Sequence, residues 1–177
     1  MRLNKLVLSN FQGIKSDKFD FDGKNSSIYG DNGTGKTTVF NAITWLLFDK
    51  SSTGAKNYSP KTKGANGDLH YLDHGVEADF VLECGRKLSL KKVLAETYKK
   101  KRGSAIEEFT GHEISYYVDG VPSKEKEYLA TLEELLGSSE RLKMLLMPNY
   151  FVEELPWQGR RQILLEMCGD VMDAERL

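Results

Sequence analysis

Gly30-Asp31-Asn32-Gly33-Thr34-Gly35-Lys36-Thr37 decides how this 177-residue chain is read. It matches G-x-x-x-x-G-K-[ST] at all four specified positions. It follows a short expected strand, Ser26–Tyr29, and leads into Thr38–Phe48, which is apolar on nearly every side. A helix that is apolar all round is a buried one, so the spacing predicts strand, glycine-rich turn and buried helix. Gly30, Gly33 and Gly35 let the backbone curl until successive N–H groups point inward at a phosphate. Lys36 adds a mobile charge that reaches the β- and γ-phosphates, the Thr37 hydroxyl is a ligand for Mg²⁺, and the positive end of the helix faces the same point. Asn32, Gly33, Thr34, Gly35, Lys36, Thr37 and Thr38 are therefore the expected nucleoside-triphosphate site, with Thr37 on the metal.

Outward from this loop the pattern is strands first, then helices. Leu6, Leu8 and Phe11 mark one strand, Phe19 and Phe21 a second, and Ser26–Tyr29 a third. After a polar stretch from Lys50 to Gly75, alternation returns in Val76, Ala78, Phe80 and Leu82, turns at Cys84-Gly85 as a two-residue hairpin, and continues in Leu88 and Leu90. Ile114, Tyr116 and Val118 form another strand, stopped by Asp119-Gly120. Ser123 is positioned to cap a helix with the stripe Tyr128, Leu129, Leu132, Leu135 and Leu136, closed by Gly137. A second helix runs through Leu142 to Met147, ended by Pro148. Pro156 starts a third, carrying Ile163, Leu164 and Met167 and closed by Gly169. Asp173 caps the first turn of a further helix. The expected fold is an α/β lobe: a mixed β-sheet with an antiparallel β subdomain and flanking helices, forming one unit over residues 1–177.

Apolar residues make up 40% and charged residues 29%, which excludes a disordered or collagen-like chain. No run approaches 18 apolar residues, and MRLNKLVLSN is not a leader, so a cytoplasmic protein without a membrane partner is expected. Cys84 and Cys168 stand outside any C-x-x-C arrangement, which fits a reducing compartment and two small buried or half-buried side chains. Charge is uneven. Arg86 to Arg102 holds eight basic residues against Glu96, or +7, which leaves −8 for the rest of a chain whose net charge is −1. Lys91, Lys92, Lys99, Lys100, Lys101 and Arg102 in that strip are candidate contacts to DNA phosphates, against the alternative of a solvated hairpin.

Hydrolysis also needs a carboxylate for Mg²⁺. Trp45-Leu46-Leu47-Phe48-Asp49 has the letters of four apolar residues and an acid, but on a helix and not at a strand tip. Phe80-Val81-Leu82-Glu83 is one residue short. The working acid is expected outside this chain, and no catalytic residue is assigned. His70 and His74 share the i, i+4 spacing of a zinc-protease helix, but Tyr71 stands where that motif needs Glu, so a surface loop is expected. Trp157 with Arg160 and Arg161 reads as a half-buried helix anchor.

Leu8-Ser9-Asn10-Phe11-Gln12-Gly13-Ile14, the block Ile28–Thr38 and the helix Ala42–Phe48 together resemble the N-terminal ATPase half of SMC-type DNA-repair proteins, the SbcC and RecF kind. Pro148-Asn149-Tyr150-Phe151 and Trp157-x-x-Arg160-Arg161 are similar to the version common in bacterial and phage genomes. The resemblance implies a P-loop NTPase lobe of ABC/SMC type that binds ATP and Mg²⁺. It implies a C-terminal half of the same head carrying the signature motif, the Mg²⁺ acid and the catalytic glutamate, and a homodimer of heads closing over two ATP molecules. DNA and an SbcD-type nuclease are the further partners implied, and residues 173–177 would begin the coiled coil. Leu135–Glu140 echoes a signature loop, but a helix end with a Gly stop and a Ser cap explains it better. Asn149 stands where the family's glutamine loop would lie. Gln12 replaces the basic residue that often follows Asn-Phe, leaving Lys15 as the nearest cation. The rival readings are a truncated, non-catalytic lobe that regulates a full-length ATPase, and a small nucleotide kinase.

Overall fold

Strand pairing in the computed structural model follows the period-2 stretches of the sequence. The structure describes residues 1–55, 58–64, 67–100 and 107–168. Six strands form one sheet in the order β2 (Ile14–Asp20), β1 (Arg2–Phe11), β5 (His74–Val81), β6 (Lys87–Lys100), β7 (Glu107–Val118), β8 (Val121–Ser123), and every pairing is antiparallel. β3 (Lys63–Gly64) and β4 (Gly67–Asp68) make a separate small hairpin. Among the described residues, four helices follow or interrupt the strands: α1 (Lys36–Phe48), α2 (Glu125–Leu136), α3 (Ser139–Leu146) and α4 (Trp157–Cys168), with one π-helical turn at Tyr150–Glu154.

One face of the sheet carries Leu6, Leu8, Val76, Ala78, Phe80, Leu88 and Leu90, all nearly or wholly buried. Helix α1 lies on this face and presents Val39, Ala42, Trp45 and Leu46 to it, with the Trp45 ring 5.5 Å from that of Phe11. Tyr128 of α2 is fully buried beside Tyr116, and its hydroxyl donates to the Leu46 carbonyl at 3.0 Å. A buried phenol without such an acceptor would lose several kilocalories' worth of hydration, so this bond fixes α2 against α1.

Turns refine the sequence reading. Leu82 N–H donates to Arg86 O at 2.9 Å and Gly85 has φ +83°, so the β5–β6 hairpin closes through three residues, Glu83 to Gly85, not two. Asp119 and Gly120, at φ +51° and +79°, do more than stop β7: they reverse the chain into β8. Lys124, and not Ser123, precedes α2, its N–H held by Glu127 at 3.2 Å, whereas Gly137 and Ser138 divide α2 from α3 as capping logic requires. Leu129 is exposed. So is the surface of α4, on which no residue is buried: Trp157 is 59% exposed and is not a half-buried anchor. Cys84 and Cys168 are exposed free thiols, because one sits at a hairpin tip and the other at the end of that uncovered helix. Gly169 and residues 173–177 lie outside the described residues. No described helix is long and apolar enough to cross a membrane.

The polar stretch after α1 is folded onto the sheet by one carboxylate. The Glu96 side chain is 2% exposed and accepts hydrogen bonds from Lys61 Nζ, from the Tyr98 hydroxyl, from the Tyr71 N–H at 3.0 Å and from His70 Nδ1 at 3.0 Å. Burial alone would raise its pKa, but these donors outweigh it and hold the carboxyl well below the usual carboxylate range. His70 is thus a surface residue, as expected. His74 is not: it is fully buried at the start of β5, with Nδ1 against the Asn10 carbonyl, because it shares the inward face with Val76 and Ala78.

Glu96→Gln leaves the buried Lys61 ammonium with only the more distant Asp68 carboxylate, 4.0 Å away, and is expected to cost about 2 kcal/mol in urea denaturation at pH 7. Because the folded carboxyl is depressed below the unfolded value of 4.5, the stability it supplies is complete above that pH and is lost as the pH falls below it. The difference between wild type and variant therefore narrows on acidification, and a gap independent of pH would contradict the clasp.

Candidate functional site

The glycine-rich turn delivers the chain into α1 with that helix's N-terminal end open. Gly33 and Gly35 take φ +83° and +94°, in the left-handed region where an L side chain is strained. Gly35 occupies the N-cap position, no side chain caps the helix, and its first turn holds no acid. The N–H groups of the first turn have no partner within the helix, so they remain available to an anion. Thr34 Oγ1 donates back to the Asp31 carbonyl at 2.8 Å and tightens the curl.

Lys36 Nζ donates to the Gly30 and Asp31 carbonyls, each at 2.7 Å. The ammonium therefore already spans the loop it serves, and a phosphate oxygen needs only to displace one of these carbonyls to gain a charge-assisted bond. The cleft around it has a volume of about 420 Å³ and is lined by Gln12, Gly13 and Ile14 together with Asn32 to Thr38. The structure thus gathers all seven sequence-predicted nucleotide residues in one place. It adds the β1–β2 turn, which the sequence reading had passed over in favour of Lys15; that lysine is exposed on β2 and does not line the cleft. A second chamber of about 530 Å³ shares Gln12, Gly13 and Thr38 and continues to Tyr58, Ser59, Lys61 and Lys63, where the Tyr58 hydroxyl is buried without a partner. Asn149 is exposed ahead of the π-helical turn and lines neither chamber. A larger cleft, about 710 Å³, opens at the far end of α1 and includes none of the phosphate-loop residues.

Neither candidate acid belongs to this site. Asp49 is the C-cap of α1, at the opposite end of a 13-residue helix and so about 20 Å from Thr37. Glu83 sits at a hairpin tip beside the chain's N-terminal amine. Among the described residues no three acidic, histidine or cysteine side chains cluster as a metal site. The Thr37 hydroxyl, exposed at the mouth of the open helix end, fits Mg²⁺ as one ligand among several that phosphate and water would supply.

The basic strip is reorganised by folding. Lys92 is a correction: it is 1% exposed, its ammonium bonded to Asp49 and, at 3.1 Å, to the Trp45 carbonyl, with the Trp45 and Tyr116 rings 5.0 and 5.1 Å away. Burial lowers its pKa and Asp49 opposes the fall. It closes the C-terminal end of α1 and does not face solvent, because it stands two residues after Leu90 on the inward face of β6. Lys91 is exposed but lies 3.5 Å from Glu77. Lys99 and Lys100 are exposed and stand opposite Glu108 and Glu107 in the β6–β7 register, so these two charges of the strip are offset across the ladder. Lys101 and Arg102 lie outside the described residues.

The family model of an AAA domain matches residues 5–150. The chain belongs to that family. The DNA replication and repair protein RecF of Flavobacterium johnsoniae is 34% identical over 115 residues, which are 63% of this chain and 30% of that protein. The chain thus spans about a third of the length of this relative. A solved structure from work on ATP-driven dimerization and DNA stimulated activation of SMC ATPases superposes with a TM-score of 0.65 at 18% identity, over 94% of this chain and 99% of the other. The recombination mediator protein RecF with ATP, from the RecFOR pathway, gives 0.50 at 17% identity over 70% of this chain and 28% of that one. The fold is therefore shared with SMC and RecF ATPase structures.

Lys36→Ala removes the cation of the cradle and Thr37→Ala the hydroxyl expected on the metal. Each is expected to weaken ATP·Mg²⁺ binding by about 2 kcal/mol, the scale of a charge-assisted hydrogen bond. Isothermal titration giving wild-type affinity for Lys36→Ala would contradict the assignment.

Proposed function

We propose that this chain is the ATP-binding N-terminal half of an SbcC/RecF-like ATPase head acting in DNA repair or recombination. ATP seats its phosphates on the N–H groups of Gly33 to Thr38, Lys36 turns from the Gly30 and Asp31 carbonyls to the phosphates, and Thr37 ligates Mg²⁺. The chamber beyond Gln12 and Thr38 gives the nucleoside room. Mg²⁺ would neutralise charge on the β- and γ-phosphates when bound.

One observation carries the further step. The sequence-predicted strand Ser26–Tyr29 forms no strand: Ile28 is 40% and Tyr29 89% exposed, immediately before the phosphate loop. Unpaired backbone beside exposed Ile28 and Tyr29 is open to strand addition. This supports a C-terminal half of the same head that pairs here and brings the Mg²⁺ acid and the catalytic glutamate, with two heads closing over ATP and DNA bound by the dimer. A nuclease partner of the SbcD type and a cytoplasmic location belong to the same reading. The exposed lysines Lys91, Lys99 and Lys100, with Lys101 and Arg102, remain the DNA contacts proposed within it. A lone regulatory lobe is the second reading, and the loop's completeness is compatible with it.

The test is turnover. The 177-residue chain alone should bind ATP·Mg²⁺ yet hydrolyse it negligibly, because no cluster of acidic side chains among the described residues completes a metal clamp. Mixing it with a separately expressed C-terminal half should restore hydrolysis. Turnover by the chain alone at about 1 s⁻¹ or faster, in the range of complete phosphoryl-transfer enzymes, would overturn the split site.

A further inference from the structure

Gln12 enters the phosphate-loop cleft from the β1–β2 turn, and its orientation is set from behind. The Ser52 backbone N–H donates to Asn41 Oδ1 at 2.9 Å, and Asn41 Nδ2 donates to Gln12 Oε1 at 3.1 Å. A backbone N–H can only donate, so the Asn41 atom that meets it is oxygen. The other Asn41 group can then only donate, so Gln12 meets it with its own oxygen. Both amides are fixed in polarity by this chain of donors. What remains of Gln12 is its NH₂ group, for which no acceptor is present among the described residues.

The backbone beneath is fixed too. Gln12 has φ +44°, its N–H donates to the Pro60 carbonyl at 3.0 Å, and the Gly13 N–H donates to Thr62 Oγ1 at 3.1 Å. Asn41 sits on α1 five residues after Lys36, so the helix that carries the phosphate-binding lysine also carries the residue that aims Gln12. Of the residues lining the cleft, Lys36 is the sole cation.

We propose that Asn41 is a positioning residue that locks the Gln12 amide with its N–H groups toward the cleft, where they donate to the nucleotide seated on the phosphate loop. This rests on the nucleotide-binding reading above. It gives the site a donor that bears no charge and does not titrate, set opposite the mobile charge of Lys36.

Asn41→Asp separates this role from a merely structural bracket. Aspartate keeps the acceptor for the Ser52 N–H but replaces the donor toward Gln12 with a second acceptor. Gln12 must then reverse its amide and turn a carbonyl to the phosphates. Thermal stability should stay near wild type while the Kd for ATP·Mg²⁺, by isothermal titration, rises about tenfold or more. Gln12→Met, which adds no charge, should raise it by a smaller factor, about threefold. Adding Gln12→Arg to Asn41→Asp should recover the affinity, since a guanidinium satisfies the aspartate and still donates to the cleft. In wild type the ¹⁵N side-chain amide signal of Gln12 should move on ATP·Mg²⁺ addition. Unchanged affinity in both Asn41→Asp and Gln12→Met, or a Gln12 amide signal unmoved at saturation, overturns the inference while wild-type binding still upholds the nucleotide site. A wild-type chain that binds no ATP·Mg²⁺ overturns both.

Discussion

Helix α1 must be buried on nearly every side and yet keep its N-terminal end open, and the rest of the structure answers that constraint. The inward face of the antiparallel sheet covers one side of it, and Tyr128 of α2, bonded to the Leu46 carbonyl, covers another. Lys92 reaches from β6 to the Trp45 carbonyl and Asp49, placing a cation at the end where the helix dipole is negative. At the other end no side chain caps the helix, and Gly35 takes the N-cap position by backbone conformation alone. The helix is thus held by its flanks and its C-terminus, leaving its first turn to hold an anion.

Much of this was legible in the sequence because it is local. The loop motif, the all-round apolar helix and the alternation in β5 each depend on neighbours a few residues away. Even the burial of Lys92 was written in the period: Leu88, Leu90 and Leu94 share its face of β6. Counting charge along the strip concealed this, since a sum over residues ignores which face each one takes. What could not be read was long-range pairing. Glu107 and Glu108 oppose the lysines only once β7 lies beside β6, and Glu96 gathers donors from residues 61 to 98.

The site was legible in the same uneven way. The motif named most of the residues that line the cleft, but Gln12 joins them only through the tight turn between β1 and β2, and Asn41 reaches Gln12 across 29 residues. The local expectation of a strand at Ser26–Tyr29 failed for a physical reason. A strand needs a partner to satisfy its N–H and C=O groups, and none of the described strands lies beside it. The phosphate loop nonetheless holds its curl, since Thr34, Lys36 and the glycines shape it from within.

The central claim is that this loop is ready for nucleotide before its neighbouring strand is paired. Hydrogen–deuterium exchange of the isolated chain, read at the amides of residues 26–29 and 33–38 with and without ATP·Mg²⁺, tests it directly. The account predicts that nucleotide slows exchange across residues 33–38 while residues 26–29 stay fast in both states. Exchange across residues 33–38 that is fast and unaltered by ATP·Mg²⁺ would contradict it.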